Sequence, residues 1–197
     1  VNAPFGIVFA HNGNLTNAEA LAQELYETDR RHINTTSDSE VLLNVLATEI
    51  SRVTLTKKLD ADGVFEAVRQ VHKRVKGSFA GKGLLAFRDP HGIRPLCFGK
   101  ATDATGKTEY MVSSESLTMI GTGFSVERDV APGEAIWIDM KGNFEARQCA
   151  EDAQLNPCAF EYVYFARPDS TIDGINVYGA RLKLGEYLAK TIRETLD

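Results

Sequence analysis

The sequence predicts an α+β protein in which a layer of helices covers a sheet. Amphipathic helical periodicity dominates the chain up to about residue 76, and short strand-like segments separated by turn residues dominate from about residue 83. Helices followed by many antiparallel strands are typical of the α+β class and not of alternating βα units. With 197 residues, of which 43% are hydrophobic, the chain is long enough to bury a substantial core.

The first elements are predicted to be a strand, a turn and a helix. The apolar run over residues 5–10 is expected to be a buried strand, and Asn12-Gly13 follows it as a turn. Thr16 or Asn17 is placed to cap the N-terminus of a helix that extends to about Glu27.

Two further helices are expected before the pattern changes. One begins within residues 35–40, where Ser37 and Glu40 have the spacing of a capping box. The other covers residues 61–76. Its apolar side is formed by Val64, Phe65, Val68, Val71 and Val75.

A series of strands is predicted next. Residues 83–88 and 93–98 are expected to be strands joined by the turn-rich segment 89–92. A further strand is expected over 109–114, and a short helical turn over 116–120.

Three more segments complete the predicted sheet. Residues 124–130, 134–139 and 143–149 are expected to form an antiparallel set, with turns at Pro132-Gly133 and at 141–143.

The end of the chain is predicted to belong to a second domain. Residues 151–157 are polar and irregular, which is typical of a domain boundary. An apolar strand over Cys158–Phe165 and a helix over 176–196 are expected to follow.

Composition argues against several function classes. The formal net charge is −5, and no cluster of Lys and Arg occurs, so a nucleic-acid partner is not expected. No apolar run approaches the roughly 20 residues of a membrane span. The three cysteines are odd in number and form no CxxC pair, which indicates a reducing compartment, so the expected location is the cytoplasm.

Asn12-Gly13 is the first candidate site, and it has two interpretations. Asn-Gly is a frequent turn dipeptide, and a tight turn alone explains it. In the second interpretation, the Asn12 side-chain amide and the Gly13 N–H form an oxyanion hole, a pair of donors that stabilises negative charge on a reacting oxygen.

Asp38 is the second candidate. An acidic residue in the first turn of a helix is favoured by the helix dipole, which explains its position without any function. The alternative is a fixed carboxylate that binds the ammonium group of a substrate.

The remaining chemistry-bearing residues give weaker signals. The four histidines lack the spacing of metal ligands, which disfavours a zinc site. Cys97 and Cys158 lie in apolar segments and are expected to be core residues rather than nucleophiles.

Five ordered motifs together resemble a known family. They are AHNGNLTN at 10–17, RRHINTTSDSE at 30–40, FRDPHGIRPL at 87–96, SSES at 113–116 and FEYVYFARPDS at 160–170. The first two are similar to motifs of the class II glutamine amidotransferases, which are N-terminal-nucleophile (Ntn) hydrolases with an αββα sandwich. The full set resembles the amidophosphoribosyltransferase family within that class.

This resemblance implies an activity and a set of roles. Asn12 and Gly13 would form the oxyanion hole for the glutamine amide, and Asp38 would bind the glutamine α-ammonium. The nucleophile of the family is a cysteine at the mature N-terminus, with its own α-amino group as base. The ammonia would pass to phosphoribosylpyrophosphate and give 5-phosphoribosylamine, in the first step of de novo purine biosynthesis. The full-length protein is expected to be a homo-oligomer.

The chain also departs from the family pattern. Val1 has no nucleophilic atom, so residues 1–157 are expected to be an N-terminally incomplete amidotransferase domain, a partial αββα sandwich that is inactive alone. Residues 158–197 resemble the opening strand and helix of a phosphoribosyltransferase domain. A chain break is expected near Ala80-Gly81, where the family continues along a strand.

The resemblance carries two cofactor expectations. Mg²⁺ belongs to the phosphoribosyltransferase domain of the full-length protein, outside this chain. Some members of the family hold a [4Fe–4S] cluster, and Cys158 resembles the position of one ligand; on balance we favour a protein without the cluster.

Two other functions remain open at this stage. One is a non-catalytic binding module that keeps an amidotransferase-like fold. The other is a glutaminase domain that serves a different synthase, such as a hexosamine-phosphate or asparagine synthetase.

Overall fold

The protein is described by a computed structural model that covers residues 6–56, 59–78 and 85–196. The described residues form two compact units. The first comprises the described parts of Val1–Arg94 together with Val130–Asn156, and the second comprises Pro95–Asp129 with the described part of Pro157–Asp197. The predicted break near Ala80-Gly81 lies outside the described residues, and the predicted domain boundary at 157/158 stays a prediction.

The described elements follow one another in a mixed α and β order. The helices are α1 (Ala18–Glu27), α2 (Asp38–Thr54), α3 (Ala61–Arg74), α4 (Ser116–Gly121) and α5 (Val177–Leu196), with a π-helical turn over Glu161–Phe165. The strands are β1 (Asn14–Leu15), β2 (Gly77–Ser78), β3 (Leu85–Phe87), β4 (Cys97–Thr102), β5 (Thr108–Ser113), β6 (Ser125–Asp129), β7 (Glu134–Ile138), β8 (Phe144–Gln148), β9 (Thr171–Ile172) and β10 (Ile175–Asn176).

In the first unit, three helices pack against an antiparallel sheet of order β3-β7-β8. The predicted helix over 61–76 is confirmed as α3, and its five apolar side chains are 0–4% exposed. Phe65, Val68, Val71 and Val75 form one core cluster with the apolar faces of α1 and α2 and with Phe87 and Ala135 of the sheet. Burial of these faces, at about 25 cal/mol per Å² of apolar surface, is the main force that holds the layers together.

A cluster of charged side chains joins α1, α2 and α3 at one end. The Arg74 guanidinium lies 2.5 Å from Glu49 Oε1, 2.8 Å from Asp29 Oδ2 and 2.9 Å from Glu24 Oε1. Arg52 contacts the same Asp29 and Glu49 at 2.7 and 2.8 Å. The side chains of Asp29 and Glu49 are only 5% and 3% exposed, so these carboxylates depend on their arginine partners for neutralisation.

The start of α2 is confirmed, with a variation of the predicted capping box. Ser37 is the N-cap, and its Oγ accepts a hydrogen bond from Ser39 N at 3.3 Å. The Glu40 side chain bonds to residues that lie further toward the N-terminus than the partner in a capping box. Its carboxylate accepts four hydrogen bonds of 2.7–3.0 Å from the backbone and side chains of Asn34 and Thr35. The segment before α2 is therefore folded onto the first turn of the helix.

The predicted strand over 5–10 is wrong for its described part. Residues 6–10 contain only an isolated β-bridge at Ile7, and Val8 is 77% exposed. A buried strand needs hydrogen-bonded neighbours along its edges, and the described residues supply none beyond isolated bridges at Ile7 and His11. The helix predicted next is confirmed as α1, with Asn17 as its N-cap.

The predicted hairpin around residues 89–92 is also wrong. Strand β3 pairs with β7, whereas β4 begins only at Cys97 and pairs with β5 and β6. The reason is the side chain of Arg88, which is 1% exposed and donates to the carbonyl oxygens of Gly92 and Arg94. Carbonyl groups that a hairpin would use in its ladder are bound by this guanidinium instead.

The second unit contains an antiparallel sheet of order β5-β4-β6 beside the helix α4. The strands predicted over 109–114 and 124–130 are confirmed as β5 and β6, but β6 pairs with β4 rather than joining the β7–β8 hairpin.

Two of the sequence motifs, at 113–116 and 160–170, meet in this unit. Glu115 Oε2 accepts hydrogen bonds from Ser170 Oγ at 2.8 Å and from Arg167 N at 3.1 Å.

The predicted strand over Cys158–Phe165 is wrong. The segment forms the π-helical turn Glu161–Phe165, because Arg181 of α5 donates to the carbonyl oxygens of Tyr162 and Ala166 and holds the chain curled. A short apolar run fits a helix as well as a strand by periodicity alone.

The helix predicted over 176–196 is confirmed as α5. None of the helices in the described ranges has both the length and the apolar composition that a membrane crossing requires.

We expect Arg74→Met to destabilise the protein by about 3 kcal/mol, because it removes the central partner of two buried carboxylates. The matched control is Arg69→Met on the same helix. Arg69 forms a partly exposed pair with Glu66, so its loss should cost less than about 1 kcal/mol. Chemical unfolding of both variants beside wild type measures the difference. Equal losses would show that the cluster contributes no more than a surface ion pair.

We expect Glu40→Gln to lower stability in a pH-dependent way. Hydrogen bonds from the Thr35 side chain and from Asn34 lower the pKa of Glu40 from about 4.5 to about 2. The stabilisation is therefore complete above about pH 4.5 and is lost as the pH falls toward 2.

Unfolding measurements at several pH values test this prediction. At pH 7 the variant should be less stable by about 1 kcal/mol, and the gap to wild type should close toward pH 2. Glu19→Gln, at an exposed position of α1, is the control and should change stability by less than about 0.5 kcal/mol at pH 7. A gap for Glu40→Gln that stays constant with pH contradicts the assignment.

Candidate functional site

The loop over residues 11–15 is fastened to the first turn of α2. At one end, Leu15 N donates to Asp38 Oδ2 at 3.0 Å. At the other end, His11 Nδ1 lies 3.2 Å from Ser39 Oγ and 3.6 Å from Asp38 Oδ1. The His11 side chain is 1% exposed, so it is a buried support for this loop. The two anchors bring the Asn12-Gly13 segment and Asp38, predicted separately, into one local structure.

Asn12 is held by an arginine from a distant part of the same unit. Arg94 Nη2 donates to Asn12 Oδ1 at 2.8 Å. A guanidinium has donors and no acceptor, so the amide oxygen must face Arg94 and the Nδ2 group must face away from it. Among the described residues, no acceptor is found for Asn12 Nδ2. Together with the exposed backbone of Gly13, this side chain can present two N–H donors to an oxygen atom.

Asp38 lies at the edge of a cavity of about 670 Å³. The cavity is formed by residues 14–20 and 36–38. The Asp38 side chain is 23% exposed, and its two oxygens differ in their surroundings. Oδ2 accepts from Leu15 N, while Oδ1 lies near His11 and Ser39 Oγ. A carboxylate fixed in this way at a cavity wall can bind a cation without a large loss of its own conformational freedom.

Arg94 ends a loop built around two buried charges. Arg88 donates to the carbonyls of Arg94, Gly92 and Val130, each at 2.8 Å. The neighbouring Asp89 is fully buried, and its carboxylate accepts from His91 N and Ile93 N. Burial raises the pKa of Asp89, and these backbone donors together with the Arg88 charge oppose the rise.

From the sequence alone, Arg94 and His11 were not singled out as site residues. Neither residue has a local signal that separates it from an ordinary surface or turn residue. Arg94 lies 82 positions from Asn12 in the chain, so only the three-dimensional structure reveals their contact. The one hint in the sequence was that the FRDPHGIRPL motif accompanies the HNGN motif.

Two of the three cysteines, Cys97 and Cys149, are buried. Burial raises the pKa of Cys149 to about 11, so this thiol is protonated and inert at neutral pH. Cys97 is buried, with its Sγ 3.4 Å from the Ser113 carbonyl, and Cys158 is half-buried. The described residues gather no group of three or more His, Cys, Asp or Glu side chains that could hold a metal ion. The Cys158 and Mg²⁺ assignments stay predictions.

Comparison with known proteins finds a matching family and named relatives. A family profile described as "Glutamine amidotransferase domain" matches residues 2–120. The amidophosphoribosyltransferase of Escherichia coli is 52% identical over 198 residues, which cover 98% of this chain and 39% of that protein. The amidophosphoribosyltransferase of Haemophilus influenzae is 50% identical over 198 residues, with the same coverage of 98% and 39%.

A solved structure supports the fold as well. Glutamine phosphoribosylpyrophosphate amidotransferase from B. subtilis, complexed with ADP and GMP, superposes with a TM-score of 0.73 at 32% identity. The match covers 92% of this chain and 37% of that one. The chain thus spans about 40% of the length of the relatives that it matches. Because the profile covers more than half of the sequence and includes Asn12, Gly13 and Asp38, the chain belongs to the glutamine amidotransferase domain family.

Proposed function

We propose that this chain carries part of the glutamine site of an amidophosphoribosyltransferase. The observation that supports the proposal most strongly is the orientation of Asn12, whose amide nitrogen faces away from Arg94. The following residue, Gly13, is exposed. A pair of N–H donors on a loop that is hydrogen-bonded to a fixed carboxylate matches the amide and the α-ammonium of glutamine. The proposed reaction is that of relatives named amidophosphoribosyltransferase, which are about 50% identical to this chain.

In the proposed first half-reaction, a cysteine thiolate attacks the side-chain carbonyl carbon of glutamine. The family resemblance places this thiolate at a mature N-terminal cysteine, with its α-amino group as base. As the C–S bond forms, the carbonyl oxygen becomes an oxyanion, which accepts hydrogen bonds from Asn12 Nδ2 and Gly13 N. Collapse of the intermediate breaks the C–N bond and expels ammonia, and the departing nitrogen takes its proton from the protonated α-amino group of that cysteine. Water then cleaves the thioester to release glutamate.

Asp38 holds the other end of the substrate in this proposal. Its carboxylate pairs with the glutamine α-ammonium and so positions the amide at the oxyanion hole. The hydrogen bond from Leu15 N holds Asp38 Oδ2 in place. The other oxygen, Oδ1, lies near His11 and Ser39. A charge-assisted hydrogen bond of this type contributes roughly 1.5–3 kcal/mol to binding.

The second half-reaction belongs to the whole protein. Ammonia displaces pyrophosphate from phosphoribosylpyrophosphate and gives 5-phosphoribosylamine, which opens de novo purine biosynthesis. We propose that residues 158–197 begin the phosphoribosyltransferase domain, that Mg²⁺ acts there, and that the protein is a homo-oligomer. We also propose that the first unit is part of an αββα Ntn sandwich. The binding-module and other-synthase alternatives are not favoured, since the relatives reported above are amidophosphoribosyltransferases.

We expect Asn12→Ala in the intact protein to lower glutamine-dependent turnover by roughly 10²–10³-fold, because one donor to the oxyanion is lost. Synthesis from added ammonia should remain, since it bypasses the oxyanion hole. Steady-state assays with each nitrogen source measure both activities. Asn156→Ala, which removes an exposed amide, is the control and should alter neither. Equal loss of both activities, or loss of neither, contradicts the role of Asn12.

We expect Asp38→Asn to raise the KM for glutamine by about 10- to 100-fold, because the ammonium group loses its countercharge. The amide oxygen of the new side chain can still accept from Leu15 N, so the loop should keep its structure. Glutamine titrations and ammonia-dependent synthesis provide the measurement. Asp152→Asn, an exposed position, is the control. An unchanged KM shows that the α-ammonium binds elsewhere.

A further inference from the structure

We propose that Arg94 is a positioning residue for glutamine hydrolysis and that it acts through Asn12. This inference rests on the proposed function, because it concerns the same oxyanion hole. Arg94 would not touch the substrate. Its role would be to fix which end of the Asn12 amide faces the reacting oxygen.

The argument starts from the two ends of an asparagine side chain. Its amide has nearly the same shape after a rotation by 180°, but the rotation exchanges a donor group for an acceptor. With Nδ2 toward the oxyanion, Asn12 stabilises the negative charge. With Oδ1 in that place, two oxygens would repel each other. Catalysis by Asn12 therefore requires something that distinguishes the two orientations.

Arg94 supplies this distinction by its chemistry. Its Nη2 donates to Asn12 Oδ1 at 2.8 Å, and no rotation of the guanidinium can turn it into an acceptor. In the reversed orientation, the NH₂ group of Asn12 would face a cation that offers only donors. The positive charge also draws electron density toward Oδ1, which strengthens Nδ2 as a donor.

The backbone of Arg94 is itself held in place by buried neighbours. Its carbonyl oxygen accepts from Arg88 Nε at 2.8 Å, and Arg88 is almost completely buried. Gly92, within the same loop, has a φ of +58°, and a Cβ there would lie 3.0 Å from Pro132 and 3.2 Å from the Arg88 guanidinium carbon. The loop therefore has little freedom to move, and the guanidinium of Arg94 is presented to Asn12 at a fixed point.

This interpretation gives the segment 88–94 a function in the reaction. Arg88, Asp89 and Gly92 build the loop, and Arg94 is the side chain through which the loop contacts the site. A purely structural role for Arg94 predicts a different pattern of effects, because loosening of the loop would not depend on the presence of the Asn12 amide.

A double-mutant cycle in the intact protein tests the proposal. The variants are Arg94→Met, Asn12→Ala and the double variant, with Arg69→Met as the matched control on a partly exposed arginine. The readouts are kcat and KM for glutamine hydrolysis and the rate of ammonia-dependent synthesis. We expect Arg94→Met to lower the glutamine kcat by about 10-fold, with KM changed less than about 2-fold and ammonia-dependent synthesis unchanged.

The decisive comparison is between the double variant and Asn12→Ala. If Arg94 acts through the amide, adding Arg94→Met to Asn12→Ala has no further effect on the glutamine kcat, within about 2-fold. Arg94→Lys should retain an intermediate kcat, since an ammonium also donates to Oδ1 but as a single point charge. If Arg94→Met does not fold, the same cycle with Arg94→Lys decides the question.

The outcomes separate this inference from the proposed function. Multiplicative losses in the double variant, or a parallel loss of ammonia-dependent synthesis in Arg94→Met, overturn the positioning role while leaving Asn12 in place. An Asn12→Ala variant with undiminished glutamine hydrolysis instead overturns the proposed oxyanion hole. A wild-type kcat in Arg94→Met beside an inactive Asn12→Ala shows that the amide needs no external orientation.

Discussion

Burial of the Arg88 guanidinium is the constraint on which the site depends. A buried cation with unsatisfied donors costs several kcal/mol, so the chain around it must supply acceptors. It does so with the carbonyls of Gly92, Arg94 and Val130, while the adjacent Asp89 provides a countercharge. These carbonyls are then not available for a β-ladder. One interaction thus ends strand β3, shapes the loop that follows and sets the position of the Arg94 side chain.

The helical layer was predictable because its signals are local. The spacing of apolar residues placed α3, and Ser37 marked the start of α2, since helix periodicity and capping involve residues within one or two turns. Strand existence was often predictable too, as in β5 and β6. Strand partners were not. Strand β6 pairs with β4 through contacts between residues that are far apart in the chain, and no turn sequence between the two strands predicts this pairing.

The strand predictions for short apolar segments were wrong for a related reason. The segment over Cys158–Phe165 has the composition of a strand, yet Arg181 binds two of its carbonyls and makes a helical turn the better-satisfied arrangement. In the site, Asn12 and Asp38 could be named from motifs, and the anchoring of their loop through His11 and Leu15 could not. Backbone and side-chain partners decide such cases, and a linear pattern does not contain them.

The two interpretations of Asn12 can now be weighed by where its side chain goes. An asparagine that serves only a turn generally bonds to backbone groups one or two residues away. Asn12 instead accepts a hydrogen bond from Arg94, 82 positions along the chain. A tight turn gives no reason for an arginine to be built into a rigid loop for this contact. Orientation of an amide gives such a reason, because only a fixed amide presents the same hydrogen atoms to a substrate in every turnover. The turn and the proposed binding role are therefore compatible: the backbone at Asn12-Gly13 changes direction, and the side chain stays available for the role that we propose.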